Sequence, residues 1–200
     1  MKQYIILADL DRCIGCHGGC QVACKTEHEI ALGPSRSRLY TMGPVGDFPD
    51  LEMYFMPVMC QQCENPACAA VCPTGACCKD EEDGVVKIDP SVCIGCQSCK
   101  KACPYDCIIF NQELRVSDKC TVCMERREAG EEPACVRNCS GCALMFGDIN
   151  DPESNVSRAI REAGEEHVYS LPDQGNHPAG RFILRNAKWQ GFPGGEENGK

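Results

Sequence analysis

The sequence lacks several features that would assign it to common functional classes. No apolar run approaches the roughly eighteen residues of a membrane-spanning helix, and the longest runs are Tyr4–Leu7 and Met53–Met59. Acidic residues outnumber basic ones by 29 to 20, and the net charge of −9 argues against a nucleic-acid partner. A P-loop, a dinucleotide-binding glycine fingerprint, a nucleophile elbow and a recognisable acid–base constellation are all missing. We therefore expect this chain not to carry out catalysis on its own.

The N-terminus also lacks the pattern of a secretory signal. It reads Met-Lys-Gln-Tyr and enters a strand-like run, with no charged n-region, apolar h-region or cleavage site. By its own sequence the chain is therefore expected to be cytoplasmic.

Ordinary hydrophobic residues are scarce for this length, whereas cysteine is abundant. Hydrophobic residues make up 43% of the 200, but the 20 Cys account for 10%, which leaves 33%. The length fits one or two domains. A cysteine share of one in ten is typical of disulfide scaffolds or metal-loaded proteins. Without a secretory signal, we favour metal binding over structural disulfides.

Sixteen of the twenty cysteines fall into four groups of four. The third group has the spacing C-x2-C-x2-C-x3-C-P, which is the bacterial run for a [4Fe–4S] cluster. In that run three thiolates converge on one cluster, and the fourth Cys binds the other cluster of a pair. We expect this fourth Cys to begin a helix. The groups are Cys13, Cys16, Cys20 and Cys24; Cys60, Cys63, Cys68 and Cys72; Cys93, Cys96, Cys99 and Cys103; and Cys120, Cys123, Cys135 and Cys139.

Zinc and disulfides are the alternatives for these groups. Zinc ribbons also use C-x2-C pairs, but they use two pairs per site and no C-x3-C-P tail. Disulfide frameworks do not need a cysteine at every third position. For the other groups taken singly these alternatives are stronger. Four groups in tandem support one another, however, because ferredoxin ligation needs groups in pairs.

The repeat predicts an α+β fold of two ferredoxin-like [4Fe–4S] units with short strands and helices, plus a C-terminal extension. Tyr4–Asp9 is predicted to be a strand that leads into group one, with Ala143–Ile149 as its partner. Further strands are predicted at Gly84–Ile88, Cys107–Phe110 and Leu114–Val116. The predicted domains are an outer unit of residues 1–29 with 114–150 (groups one and four), a surface loop of residues 30–56, an inner unit of residues 57–113 (groups two and three), and a C-terminal helix and extended tail of residues 151–200. A partner-docking loop is the alternative for residues 30–56.

The last fifty residues contain no candidate ligand. Asp151 is predicted to cap a helix that ends at Gly164. Short extended pieces follow at Val168–Leu171 and Arg181–Leu184, and the end from Phe192 is expected to be frayed. Trp189, the only tryptophan in the sequence, is expected either to pack on its own chain or to be buried against a partner.

The four groups in tandem resemble a known family. The motifs that carry the resemblance are CIGCHGGCQVACK, CQQCENPACAAVCPTGA, CIGCQSCKKACPYD and CTVCMERREAGEEPACVRNC. They are similar to those of the four-cluster iron–sulfur subunits of molybdopterin oxidoreductases of the dimethyl sulfoxide reductase type, from Tyr4 to about Ile149. The resemblance implies a double ferredoxin-like fold with four [4Fe–4S] clusters.

The resemblance also implies ligation that crosses between groups one and four, and between groups two and three. Carried over to this sequence, it gives four ligand sets, here named sites I to IV. Site I comprises Cys13, Cys16, Cys20 and Cys139; site II comprises Cys24, Cys120, Cys123 and Cys135; site III comprises Cys60, Cys63, Cys68 and Cys103; and site IV comprises Cys72, Cys93, Cys96 and Cys99.

The function implied by the resemblance is that of a non-catalytic electron-transfer subunit. It would relay electrons to or from a molybdenum- or tungsten-bis-pterin catalytic subunit, with a membrane anchor or a soluble electron donor as a further partner. A free-standing polyferredoxin carrier is the alternative. Such subunits can also be exported folded on a signal-bearing partner, so a periplasmic location is the alternative to a cytoplasmic one.

Several residues near the groups have two interpretations. His17-Gly18-Gly19 contains one residue more than many relatives have, and the glycines are expected to absorb it as a bulge next to Cys20. An alternative role for His17 and His28 is that of ligands or proton carriers, although the set of cysteines is complete without them.

The four remaining cysteines are interpreted as small buried hydrophobes. They are Cys77, Cys78, Cys107 and Cys142. Four lysines beside candidate ligands are interpreted as solvated surface residues, with raising the reduction potentials as the alternative. They are Lys25, Lys100, Lys101 and Lys119.

Overall fold

The computed structural model describes residues 1–193, which form an α+β arrangement of short elements. The strands are β1 (Tyr4–Asp9), β2 (Ser37–Val45), β3 (Glu52–Met59), β4 (Cys77–Lys79), β5 (Val86–Ile88), β6 (Ile108–Asn111), β7 (Val116–Lys119), β8 (Leu144–Asp148), β9 (Val168–Tyr169) and β10 (Phe182–Ile183). The helices are α1 (Gly19–Glu27), α2 (Ala67–Ala70), α3 (Ser98–Ala102), α4 (Met124–Glu128), α5 (Ala134–Arg137) and α6 (Asn155–Ala163), and one 3-10 turn spans Glu165–His167. In this part of the chain no helix is both long and apolar enough to cross a membrane.

The largest sheet has the strand order β8-β1-β10-β9 and joins the two ends of the chain. Strand β1 pairs antiparallel with β8, with Ile6 opposite Phe146, so the predicted pairing of these two segments is confirmed. On its other side β1 pairs in parallel with β10, with Ala8 opposite Phe182. The C-terminal extension is therefore part of this sheet.

The two faces of β1 belong to different cores, because successive side chains of a strand point in opposite directions. Ile5 and Leu7 pack with Val156 of α6 in one buried cluster. Ile6 belongs to a second, larger cluster that also contains Cys135. The sheet thus supports a helix on one face and the cysteine-rich region on the other.

The prediction of a structureless loop over residues 30–56 is wrong. Strands β2 and β3 pair antiparallel from Ser37 opposite Met59 to Met42 opposite Tyr54, with a bulge before Val45. Before the first strand, only residues 30–36 of this segment lie outside regular secondary structure. Pro44 and the neighbouring glycines hid the strand signal, since proline normally argues against a strand. In a two-stranded ribbon each strand keeps a free edge, so a proline is tolerated there.

The C-terminal helix starts later than predicted. The side chain of Ser154, not Asp151, caps α6 by accepting a hydrogen bond from Ser157 N at 3.1 Å. The backbone of Ser154 is in turn held by the carbonyl of Asp151 at 3.1 Å, so the Asp-Pro pair forms the turn before the helix. The helix ends at Gly164, whose φ is +84°, as predicted.

The remaining tail packs on its own chain. Trp189 stacks on Tyr169 with ring centroids 4.8 Å apart and an interplanar angle of 4°. Phe192 is buried and meets Tyr40 of β2 edge-on at 5.7 Å. The own-chain interpretation of Trp189 is therefore correct, and Phe192 is not frayed. The rest of the segment expected to be frayed, residues 194–200, lies outside the described residues.

The inner part of the chain contains two further hairpins. β4 pairs with β5 and β6 pairs with β7, both antiparallel. Strands β5, β6 and β7 agree with the predicted ones to within three residues at each end, whereas β4 was not predicted. Each hairpin follows a cysteine group and leads the chain into the next one, so the hairpins position the candidate ligands.

Candidate metal centres

Four short helices position the third and fourth cysteine of every group. Helix α1 contains Cys20 and Cys24, which are four residues apart. In the other groups the third cysteine lies in α2, α3 or α5, and the fourth lies at or just beyond the helix end. Residues four apart on a helix share a face and lie about 6 Å from each other along the axis. The expectation that the fourth Cys begins a helix is therefore wrong, because the third Cys lies near the start and the fourth at or near the end.

These helices pack in two pairs, α1 against α5 and α2 against α3. The first pair brings group one to group four, although more than a hundred residues separate them in the sequence. The second pair brings group two to group three. This packing brings together the groups between which the crossed ligand sets are predicted.

Cavities lie at two of the four predicted ligand sets. One small cavity is lined by all four cysteines of site I, including the distant Cys139. A second small cavity is lined by all four cysteines of site IV, including Cys72 from the preceding group. Apolar atoms and backbone line most of both cavities, and no carboxylate lies among their lining residues. A set of four thiols without carboxylate suits a soft iron–sulfur centre.

Within site I and within site II, thiols from groups one and four raise one another's pKa. Burial raises the pKa of Cys20 to about 11, and Cys13, Cys16 and Cys139 contribute. Burial likewise raises the pKa of Cys24 to about 12, with Cys120 and Cys123 adding to the shift. Protons therefore hold these sulfurs strongly at neutral pH, and metal binding has to displace them.

The thiols of site III show the same coupling across the α2–α3 pair. Burial raises the pKa of Cys60 to about 11, with Cys103 and Cys68 among the groups that contribute. Cys103 is the exception, since a hydrogen bond from the Cys107 thiol lowers its pKa to about 6. Cys103 is thus the site III thiol best prepared to bind metal at neutral pH.

The four C-x2-C loops share one backbone feature. In each loop the residue just before the second cysteine has a left-handed conformation, with φ between +47° and +68°. At Gly95 a Cβ atom would lie 2.2 Å from a carbonyl oxygen, so only glycine fits. Val122 adopts this conformation although it is β-branched, which costs free energy. The four residues are Gly15, Gln62, Gly95 and Val122.

Each site contains a sulfur that accepts an N–H hydrogen bond. The donors are backbone groups in three sites and the Asn176 side chain in site III. Such bonds are characteristic of iron–sulfur sites and influence their reduction potentials. The acceptors are Cys139 at 3.2 Å, Cys120 at 3.4 Å, Cys72 at 3.3 Å and Cys63 at 3.0 Å.

The extra residue in group one is absorbed before helix α1. His17 and Gly18 both have left-handed conformations, with φ of +50° and +78°. Gly18 is the N-cap residue of α1, and Cys20, the second residue of that helix, lines the site I cavity. The expected adjustment by glycine is confirmed, and Cys20 stays beside the other three cysteines of its set.

Two polar residues beside the sites do not stand out as important in the sequence. Asn176 donates to the Cys63 sulfur at 3.0 Å and to the Tyr105 hydroxyl at 2.9 Å. The sequence indicates His28 only as an alternative ligand or proton carrier, yet its Nε2 lies 3.3 Å from the Cys123 sulfur. Burial, with Arg36, lowers the pKa of His28 and favours its neutral form. No spacing in the sequence reveals the contact of Asn176, because 113 residues separate it from Cys63.

The cysteines outside the four groups differ in their surroundings. Cys77 and Cys107 are buried, as predicted for small hydrophobes. Cys142 is exposed, so this prediction is wrong for it. Cys78 is half-buried. All the cysteines are free thiols.

The lysines beside the candidate ligands differ as well. Lys101 is exposed, in agreement with the prediction of a solvated residue. Lys119 is fully buried, and the same prediction is wrong for it. Lys25 donates to the carbonyls of Ala31 and Pro34 and so ties α1 to the following segment.

Within residues 1–193 no three His, Cys, Asp or Glu side chains converge tightly enough to hold a single metal ion. The cysteines instead stand around the spaces described above. Their donor set, the N–H groups directed at sulfur and the enclosing cavities fit [4Fe–4S] clusters.

Comparison with known proteins gives a consistent set of relatives. A family model described as a 4Fe-4S dicluster domain matches residues 51–149. The thiosulfate reductase electron transfer subunit PhsB of Salmonella typhi is 42% identical over 170 residues, which cover 84% of this chain and 85% of that protein. A tetrathionate reductase subunit of Salmonella typhimurium is 38% identical, with 88% of this chain and 70% of that protein covered. The iron–sulfur subunit of a dimethyl sulfoxide reductase, named as putative, from Halobacterium salinarum is 36% identical, with 92% and 79% covered.

Proposed function

We propose that this protein, which belongs to the family of iron–sulfur electron-transfer subunits of dimethyl sulfoxide, tetrathionate and thiosulfate reductase type, holds four [4Fe–4S] clusters at sites I to IV. Each site would supply four thiolate ligands. The observation that carries the proposal is the grouping of cysteines from distant parts of the chain: all four members of site I line one cavity, and all four members of site IV line another. When bound, the clusters would supply one-electron transfer.

The arrangement supports two ferredoxin-like units. The packing of α1 on α5 supports an outer unit of residues 1–29 and 114–150, and the packing of α2 on α3 supports an inner unit of residues 57–113. The β2–β3 hairpin and the C-terminal extension add to this pair, since Phe192 and Trp189 contact the hairpin or the large sheet.

The mutual effects of thiols in neighbouring sites on their pKa values, together with the shared helices, support a linear order from I to IV. Cys20 of site I is among the groups that raise the pKa of Cys135 in site II, after burial and the site II thiols. Cys60 of site III raises the pKa of Cys120 in site II, again after burial. Helices α2 and α3 then link sites III and IV through cysteines four residues apart. A linear series of sites is what an electron relay across a subunit requires.

The two end sites expose apolar surface that suits docking to partners. Ile14, in the C-x2-C loop of site I, is 63% exposed, and Ile94, at the same loop position in site IV, is 66% exposed. Large exposed apolar side chains next to candidate redox centres are typical of interaction surfaces. We propose that one end docks to a molybdenum- or tungsten-bis-pterin catalytic subunit and the other to a membrane anchor or soluble donor. The free-standing carrier is not favoured, because the relatives are named as subunits of reductases.

Reconstitution with iron and sulfide under anaerobic conditions tests the proposal. We expect a brown protein with about sixteen iron and sixteen acid-labile sulfide per chain, because four cubane clusters contain that number. Fewer than about twelve iron after full reconstitution, or stoichiometric zinc, would contradict it. Co-purification with the product of a neighbouring gene that binds molybdopterin would support the proposed partner, whereas isolation as a lone carrier from native membranes and extracts would contradict it.

A further inference from the structure

Lys119 ends strand β7 and directly precedes Cys120, yet it is only 1% exposed. Lysine is almost never fully buried unless its charge is paired. The ammonium donates to the backbone carbonyls of Val86 and Cys120, the latter at 2.8 Å. Among residues 1–193, no Asp or Glu carboxylate forms an ion pair with it. Its charge therefore needs compensation from another kind of group.

The ammonium lies where segments of two different sites meet. Lys119 directly precedes Cys120 of site II and donates to its carbonyl. Gln62, which lies between Cys60 and Cys63 of site III, donates to the same carbonyl. Lys119 thus lies at the junction between the two central sites of the proposed series.

Gln62 fixes the same junction from the other side. Its Oε1 accepts from Val86 N at 2.8 Å, and its Nε2 donates to the Cys120 carbonyl at 3.2 Å. Gln62 is itself the left-handed residue in the C-x2-C loop of site III. Lys119 and Gln62 therefore both bind Val86 and Cys120, so the position of the ammonium between the sites is well defined.

We propose that Lys119 provides a fixed positive charge shared by sites II and III, and that this charge raises the reduction potential of both. The inference rests on the proposed function. A [4Fe–4S] cluster with four thiolates is an anion, and reduction adds one more negative charge. A cation between two such sites stabilises the reduced form of each, and because it is buried, solvent and salt screen it less than they screen a surface lysine. One side chain would thereby set the potentials on both sides of the junction.

The substitution Lys119→Gln in the fully loaded protein tests the proposal, because it removes the charge and retains a donor. At a fixed applied potential, we expect the ratio of reduced to oxidised centre to fall at least tenfold at sites II and III. For a one-electron couple each tenfold change corresponds to about 59 mV. Lys119→Arg keeps the charge, so the ratio at both sites should stay close to that of the unsubstituted protein. Lys101→Gln is the matched control, since Lys101 is exposed although it lies two residues from Cys103; it should change the ratio less than twofold.

The readout is a redox titration followed by electron paramagnetic resonance, with the signals of sites II and III assigned through Cys123→Ser and Cys63→Ser. Unchanged potentials at both sites in a Lys119→Gln protein with full iron content would overturn the inference but leave the four-cluster proposal intact. Fewer than about twelve iron in the unsubstituted protein would overturn the proposed function itself. If Lys119→Gln loses iron, Gln62→Glu carries the test, because it adds a negative charge at the same junction with nearly the same shape. A fall in the ratio at both sites then supports the inference, and an unchanged ratio overturns it.

Discussion

Replacing Cys139 with serine tests the crossed arrangement of sites I and II directly. Cys139 and Cys135 are four residues apart, which corresponds to about 6 Å along a helix. A local arrangement would give both to the same site, but Cys139 lines the site I cavity with Cys13 and Cys16. Its sulfur also accepts a hydrogen bond from Ala143 N at 3.2 Å. The substitution is therefore expected to damage site I and to spare site II.

The expected size of the effect follows from the number of ligands. One thiol of four is replaced by a harder and poorer ligand for iron. Site I should lose about one iron of four, so the protein should contain about fifteen instead of about sixteen. Because Cys139 is not a site II residue, the site II signal should keep its potential and line shape.

The assay is electron paramagnetic resonance of the reduced protein, with signals assigned through Cys16→Ser for site I and Cys123→Ser for site II. Cys142→Ser is the control, because Cys142 is an exposed free thiol three residues further on. It should leave every signal unchanged. If Cys139→Ser alters the same signal as Cys123→Ser and leaves the Cys16-dependent signal intact, ligation is local and the two-unit proposal is wrong.

Three further predictions concern the surroundings of the sites. Asn176→Leu removes the hydrogen bond to sulfur in site III and should lower the reduction potential of that site alone, as measured by redox titration; Asn150→Leu, at an exposed position, should not. Gly95→Ala should destabilise the protein by more than about 3 kcal/mol, because a Cβ atom there would meet a carbonyl oxygen. The control Gly75→Ala has nearly the same φ but faces open space, so it should cost about 1–2 kcal/mol. Thermal unfolding of the loaded proteins measures both effects. Iron loading should weaken as the pH falls from about 9 to about 6, because burial raises the pKa of Cys24 to about 12 and its proton must leave before iron binds. A pH-stat that detects no proton release on loading at neutral pH would contradict this last prediction.

The cysteine spacing predicted most of the local geometry of the sites. A gap of three residues between the third and fourth cysteine occurs in every group, and it corresponds to one helical turn. The strand pairing of Tyr4–Asp9 with the segment after group four also followed from the sequence. The helical turn depends on local spacing, which a single sequence displays directly, whereas the pairing of two segments so far apart followed from the repeat of the cysteine groups.

The hairpin of residues 37–59 was missed because its sequence contains signals that normally exclude strands. Pro44 and Pro57 lie inside the two strands. Each strand has only one neighbour, so a missing N–H on the free edge costs little. Proline was therefore an unreliable indicator in this two-stranded ribbon.

The burial of Lys119 was missed for a different reason. Its side chain is enclosed by segments around Cys60, Val86 and Cys120, which come together only in the folded protein. Neighbouring sequence suggests a surface lysine, since most lysines next to polar loops are solvated. Tertiary contacts of this kind, like that of Asn176 with Cys63, leave no spacing signal.

The short helices give the fold a property that separate metal sites would not have. In the proposed arrangement each helix and the residues at its end place one cysteine in each of two neighbouring sites, so a displacement of that helix would change the ligand geometry of both. Helix α1, for example, carries Cys20 and Cys24, whereas α5 carries Cys135 and Cys139 lies two residues beyond its end. A cluster bound at one site therefore fixes the helix that the next site needs, so loading of neighbouring sites should be mutually favourable. Between sites II and III no helix is shared, and the hydrogen bonds of Gln62 and Lys119 are what tie these two sites together. A single substitution at that junction should therefore uncouple the loading of sites I and II from the loading of sites III and IV.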